Sequence, residues 1–136
     1  MDTHAVIDTL NELLALELHS LAPRLIESAT FVSARSTRDF DRLQRLAGAS
    51  RRHAAALAER IQSLGGVPQP TPPRTDSAGL HFQELAHARA AIRADLQSTI
   101  RACTFAAQRL STAPQETRLI ALILEDHHRS LELLSA

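Results

Sequence analysis

The chain has 136 residues, zero formal net charge, a pI near 7.1 and 44% apolar residues, enough to bury one core and too balanced to be steered by its overall field to nucleic acid or anionic lipid. Four phenylalanines and no tyrosine or tryptophan leave few strand formers, no tyrosyl radical and no indole to stack on a base, so an all-helical single domain over 1-136 is expected. The single cysteine, Cys103, excludes an intramolecular disulfide, and no apolar run is long enough to span a membrane, so a cytoplasmic location is expected.

Helix 1 is predicted from Asp2 or Thr3 to about Val32. Leu10, Leu14, Glu17, Leu21, Leu25 and Ser28 share one face, which puts Glu17 inside an apolar stripe. Pro23 cannot donate to the carbonyl of His19, so a bend is expected at that point. Helix 2 is predicted from about Arg38 to Leu64, with Ser36 or Thr37 as N-cap and an inner stripe of Leu43, Ala47, Ser50, His53 or Ala54, Leu57, Ile61 and Leu64. Gly65 and Gly66 are read as a left-handed C-terminal cap, and Pro68 prevents the helix from resuming.

The segment from Val67 to Gly79 holds four of the six prolines. At roughly 3.1 Å per residue its polyproline form spans about 40 Å, the length of a helix of about 27 residues. It can therefore return the chain along the whole bundle. Helices 2 and 3 would then be parallel, in a four-helix bundle with one long crossover, the ferritin-like topology.

Helix 3 is predicted from about Leu80 to Leu110, with Leu85, Ala88 or Arg89, Ile92, Asp95, Thr99, Ala102 and Ala106 on its inner face. After a short turn, helix 4 runs to about Leu134, and its densest face (Ile120, Ile123 or Leu124, His127, Leu131, Leu134) turns His127 inward. Glu125 and His128 have the i, i+3 spacing of a ligand pair, but their line continues through Arg118 and Glu132 and reads as a boundary face. Glu84 and His87 repeat that spacing near the start of helix 3, a pattern too short to carry weight. The arginines from Arg35 to Arg52 are interrupted by Asp39 and Asp41 and lack interleaved aromatics, as expected of a solvated face.

Each helix thus sets an ionisable residue in an apolar stripe: Glu17, His53, Asp95 and His127. Buried charges are costly unless paired or metal-bound, and carboxylates with imidazoles converging from facing helices suit iron, zinc or manganese. A set of residues paired only with each other is the alternative.

LNELLALEL around Glu17, SRRHAAALAERIQSLGGVP and LIALILEDHHRSLELL resemble, in order and spacing, bacterioferritin and the wider ferritin-like superfamily. The resemblance implies a di-iron site built from a glutamate on helices 1 and 3 and Glu-x-x-His on helices 2 and 4. Glu17 and His53 match two of these ligands, and Asp95 stands for the helix 3 glutamate, one carbon shorter. Ser50 occupies the place of the first bridging glutamate. In the favoured ungapped match, His127 occupies that of the second, and Ser130 that of its histidine; a two-residue shift would offer Glu125 and His128 instead.

With both bridging carboxylates missing, standard ferroxidase activity is not expected. The expectation is one iron or other divalent metal held by Glu17, His53, His127 and Asp95, in a protein of iron or metal handling. A metal-free scaffold acting through oligomerisation or partner binding is the alternative. Haem is not expected, because Arg51 stands where bacterioferritin has its haem-binding methionine. The resemblance further implies a homo-oligomer, an antiparallel dimer at least, with no membrane or nucleic-acid partner.

Overall fold

The computed structural model describes residues 2–22, 37–70 and 85–135. They form four helices: α1 (Thr3–Leu18), α2 (Thr37–Ser63), α3 (Leu85–Arg109) and α4 (Pro114–Ser135). No described helix is long and apolar enough to cross a membrane. Leu25, Ser28, Ser36, Glu84 and most of the proline-rich connection, all named above, lie outside the described residues, as do the side chains of Leu85, His87 and Ala88.

Asp2 starts α1 from an extended conformation, its carboxylate accepting the N–H of Ala5 at 2.7 Å. The expected bend arrives early. Helix α1 ends at Leu18, and Leu21 and Ala22 are helical again after a break at His19 and Ser20. Pro23, from which the bend was expected, lies outside the described residues.

Helix α2 ends in a Schellman motif: Gly66 N–H donates to the Ile61 carbonyl at 2.9 Å and Gly65 N–H to that of Gln62 at 3.0 Å. The two glycines have different tasks. Only Gly65 is left-handed, at φ +85°, whereas a Cβ on Gly66 would come within 2.9 Å of Cδ1 and Cγ2 of Ile7 on α1. Gly65→Ala is expected to cost about 1 kcal/mol through backbone strain. Gly66→Ala should cost about 1–2 kcal/mol by pushing α1 away, and urea midpoints of both variants check this.

Contacts between helices give the topology. Helix α1 runs antiparallel to α2, with Asn11 bonded to Val67 at one end and Ser20 to Ser50 toward the other. It also runs antiparallel to α3, pairing Glu12 with Arg109 and Leu21 with Asp95. Helices α2 and α3 are therefore parallel, so the end of α2 and the start of α3 lie toward opposite ends of the bundle. The fold is the expected four-helix bundle with one long crossover.

The buried interior comes in two apolar blocks. One contains Leu10, Leu14, Leu57, Ile61, Cys103, Leu110, Ile120 and Ile123; the other contains Leu21, Leu43, Leu46, Ile92, Leu96 and Leu134. Along every helix buried polar residues separate the blocks: Glu17 on α1 with Ser20 just past its end, Ser50 and His53 on α2, Thr99 on α3, His127 and Ser130 on α4. These residues form one polar layer across the bundle.

Cys103 borders that layer but belongs to the apolar side. It is 1% exposed, and burial, aided by the charge of Glu17, pushes its thiol up to about 12. So little thiolate forms at neutral pH that Cys103 should resist an aromatic disulfide reagent in the folded protein and react fully in denaturant. Absorbance of the released thiolate measures both cases.

Candidate metal centre

Glu17 lies in the last turn of α1, one residue before its end; His53 is near the middle of α2; His127 lies past the middle of α4. Each follows an apolar residue one turn away on its own buried face, so folding that face inward carries the polar group inward with it. They are 2%, 5% and 4% exposed.

The three converge. His127 Nε2–H donates to Glu17 Oε1 at 2.5 Å, and His53 Nδ1 stands 3.5 Å from Glu17 Oε2. The two imidazoles meet edge to face, their centroids 4.8 Å apart. One ligand atom from each of Glu17, His53 and His127 lies within 4.8 Å of the others, a spacing a single metal ion can bridge. Two imidazoles and one carboxylate make a donor set suited to ferrous iron and its neighbours.

The opposite nitrogen of His53 is already engaged, with Nε2–H donating to Asp126 Oδ2 at 2.8 Å. In a neutral imidazole that bond leaves Nδ1 as a lone pair aimed toward Glu17. Glu17 Oε2 and His53 Nδ1 are in fact the two buried side-chain atoms left without a hydrogen-bond partner among the described residues. Either a proton on Nδ1 or a cation between the two atoms relieves the arrangement. A cation fits the residues present, and the bond to Asp126 holds the ring in the tautomer a metal requires.

Electrostatics follow the same geometry. Burial disfavours ionised Glu17, yet the hydrogen bond from His127 and the proximity of both imidazoles prevail and hold its carboxyl below the usual range. Burial likewise disfavours protonated His53, but the carboxylates of Glu17 and Asp126 prevail and raise it. Asp126, on the half-exposed rim, is lowered chiefly by its bond from His53.

Asp95 takes a different place. The buried face of α3 runs Ile92, Leu96, Thr99, Cys103, Ala106 and Leu110, turned from the stripe expected through Asp95 and Ala102, so Asp95 falls at its edge. Its Oδ2 accepts the N–H of Leu21 at 3.0 Å. In an unbroken helix that N–H would bond to the carbonyl of Glu17, so Asp95 closes the break in α1. It lines a cavity of about 20 Å³ beside the group, together with Glu17, Ser20, Ser50, Thr99 and His127.

Glu125 and His128 are exposed, and Glu125 pairs with Arg129 on its own helix. Ser130 is buried in the polar layer, where it offers a hydroxyl. Asp126 was missed by sequence reasoning because it lies beside the inward line of α4 and reaches His53 only across the interface. Glu116 was missed for the same reason; it is buried in the first turn of α4, and Arg60 of α2 bonds it at 2.7 and 2.8 Å.

The bundle superposes on the crystal structure of a ferritin-like, diiron-carboxylate protein from Bacillus anthracis with a TM-score of 0.78. The match covers 99% of this chain and 97% of that one, at 21% sequence identity. The fold is ferritin-like. No family model and no curated protein matches the sequence. In this ferritin-like bundle the polar layer lies between the two apolar blocks, where side chains from facing helices can build a metal site.

Proposed function

We propose that this ferritin-like protein binds one divalent metal, iron foremost, through Glu17, His53 and His127, and acts in iron or other metal handling. The carrying observation is the pair of buried, unpartnered atoms, Glu17 Oε2 and His53 Nδ1, facing each other at 3.5 Å. Such atoms are costly to leave unmatched, and a cation matches both. The neighbouring protein from Bacillus anthracis, described as diiron-carboxylate, supports metal chemistry in a bundle of this fold.

One metal rather than two is the reading because Ser50 and Ser130 bring hydroxyls to the layer, not carboxylate or imidazole. Without bridging carboxylates, two cations would repel each other with little to offset it. Two-iron ferroxidase activity is therefore not part of the proposal. Asp95 is left out of the proposed set because the converging ligand atoms are those of Glu17, His53 and His127, while its Oδ2 accepts from Leu21.

The experiment is elemental analysis after anaerobic loading with ferrous iron, and separately with cobalt or zinc, followed by desalting. One metal per chain is expected, and it should be lost in both His53→Ala and His127→Ala. Two irons per chain, or retention in both variants, would refute the assignment.

A second reading has its own observation. With a proton on Nδ1, His53 bridges Glu17 and Asp126 as an imidazolium and needs no metal. The bundle would then be a metal-free scaffold acting through self-association or a partner, with Phe105 and Leu122 as exposed apolar side chains on α3 and α4. No bound metal in the well-folded wild type would favour it.

A further inference from the structure

Resting on the mononuclear reading, we infer that the cavity beside Glu17 and His127 is the binding place for the metal's exogenous ligand, a water at rest and a diatomic molecule in exchange for it. Three protein donors leave a first-row divalent ion with open positions, and a site that keeps such a position is one that takes ligands from outside. The question is where those positions face.

Apolar side chains close both ends of the layer, since Leu14 and Leu57 lie in one block and Leu46 and Leu96 in the other. The cavity lies where the layer meets the second block: Ala22, Leu46, Ile92 and Leu96 line it, and so do two of the three donors, Glu17 and His127. Its volume of about 20 Å³ exceeds the roughly 10–15 Å³ that one water needs, and leaves no room for an organic substrate.

Its wall is polar where a bound ligand needs partners. Ser20 Oγ–H donates to Ser50 Oγ at 3.1 Å, which leaves the Ser50 hydroxyl its own proton to donate. Thr99 donates to the carbonyl of Asp95 at 3.1 Å, so its oxygen remains an acceptor. A metal-bound water, an acid through its protons and an acceptor through its remaining lone pair, matches this wall. So does a diatomic ligand whose outer atom accepts from Ser50.

The proposal makes Ser50 a positioning residue for the incoming ligand rather than a metal ligand. Ser50→Val removes the hydroxyl and fills the space, whereas Ser50→Ala removes the hydroxyl and leaves the space open. The probe is nitric oxide added to the anaerobically ferrous-loaded protein, read by the high-spin ferrous-nitrosyl signal in electron paramagnetic resonance. Metal content is measured on the same samples.

The wild type should bind one iron and form the nitrosyl. Ser50→Val should keep the iron and lose about tenfold or more in nitric oxide affinity, and Ser50→Ala, which loses the hydroxyl but leaves the space open, should keep the iron and lose less. A ferrous protein that forms no nitrosyl overturns this inference but leaves the metal site standing, as does a Ser50→Val protein with wild-type affinity. If Ser50→Val fails to fold, a Ser50→Ala protein that keeps iron and has wild-type nitric oxide affinity overturns the role given to Ser50. Absence of iron from the wild type removes the metal site and this inference together.

Discussion

Glu17→Gln is expected to abolish metal binding while leaving the metal-free bundle as stable as the wild type, within about 1 kcal/mol. The reason lies in the two faces of the carboxylate. Oε1 accepts a hydrogen bond from His127, a role the Gln carbonyl reproduces; Oε2 faces the unpartnered Nδ1 of His53, where the Gln amide donates. Every buried polar atom of the trio then has a partner, and no charge remains to be compensated.

For the metal the same change is severe, because it removes the only anionic donor of the set. Loss of an outer-sphere partner alone typically lowers affinity about 10–100-fold, so loss of this ligand should exceed that range. Calorimetric titration with cobalt reads the affinity, and urea unfolding of the metal-free protein reads the stability. Unchanged cobalt affinity would place the site elsewhere.

Arg60→Ala should produce the largest loss of stability, about 2–3 kcal/mol, without changing metal stoichiometry. The Glu116 side chain is 6% exposed and accepts from both Nε and a terminal nitrogen of Arg60. Removing the guanidinium strands a buried carboxylate. Its place in the first turn of α4 limits the damage, since the free N–H groups of a helix start favour a negative charge. Replacing both partners, as Arg60→Met with Glu116→Met, should recover most of the loss, because neither charge is then left unmatched. The urea midpoint should fall in the single variant with an unchanged slope. A single variant as stable as wild type would show that the pair contributes nothing net.

How much of this was legible in the sequence depends on whether one helix or two decide the outcome. Glu17, His53 and His127 each interrupt an apolar stripe on their own helix, and periodicity alone brings all three inward. The parallel arrangement of α2 and α3 was likewise readable from the length of the proline-rich connection. Asp95 was not: an error of one position in the phase of α3, where alanines blur the stripe, moves it from the layer to its edge. A bend was expected from Pro23, whereas among the described residues the helix breaks at His19 and Ser20. Asp126 and Glu116 depend on partners 73 and 56 residues away, and local patterns carry no information about such pairings.

The most direct measurement is the anomalous diffraction of crystals grown from ferrous-loaded protein, collected at the iron edge. One peak per chain, bounded by Glu17, His53 and His127 and absent from Glu17→Gln crystals, is the predicted result. Two adjacent peaks would contradict the single-metal site, and a peak away from these three residues would contradict the ligand set.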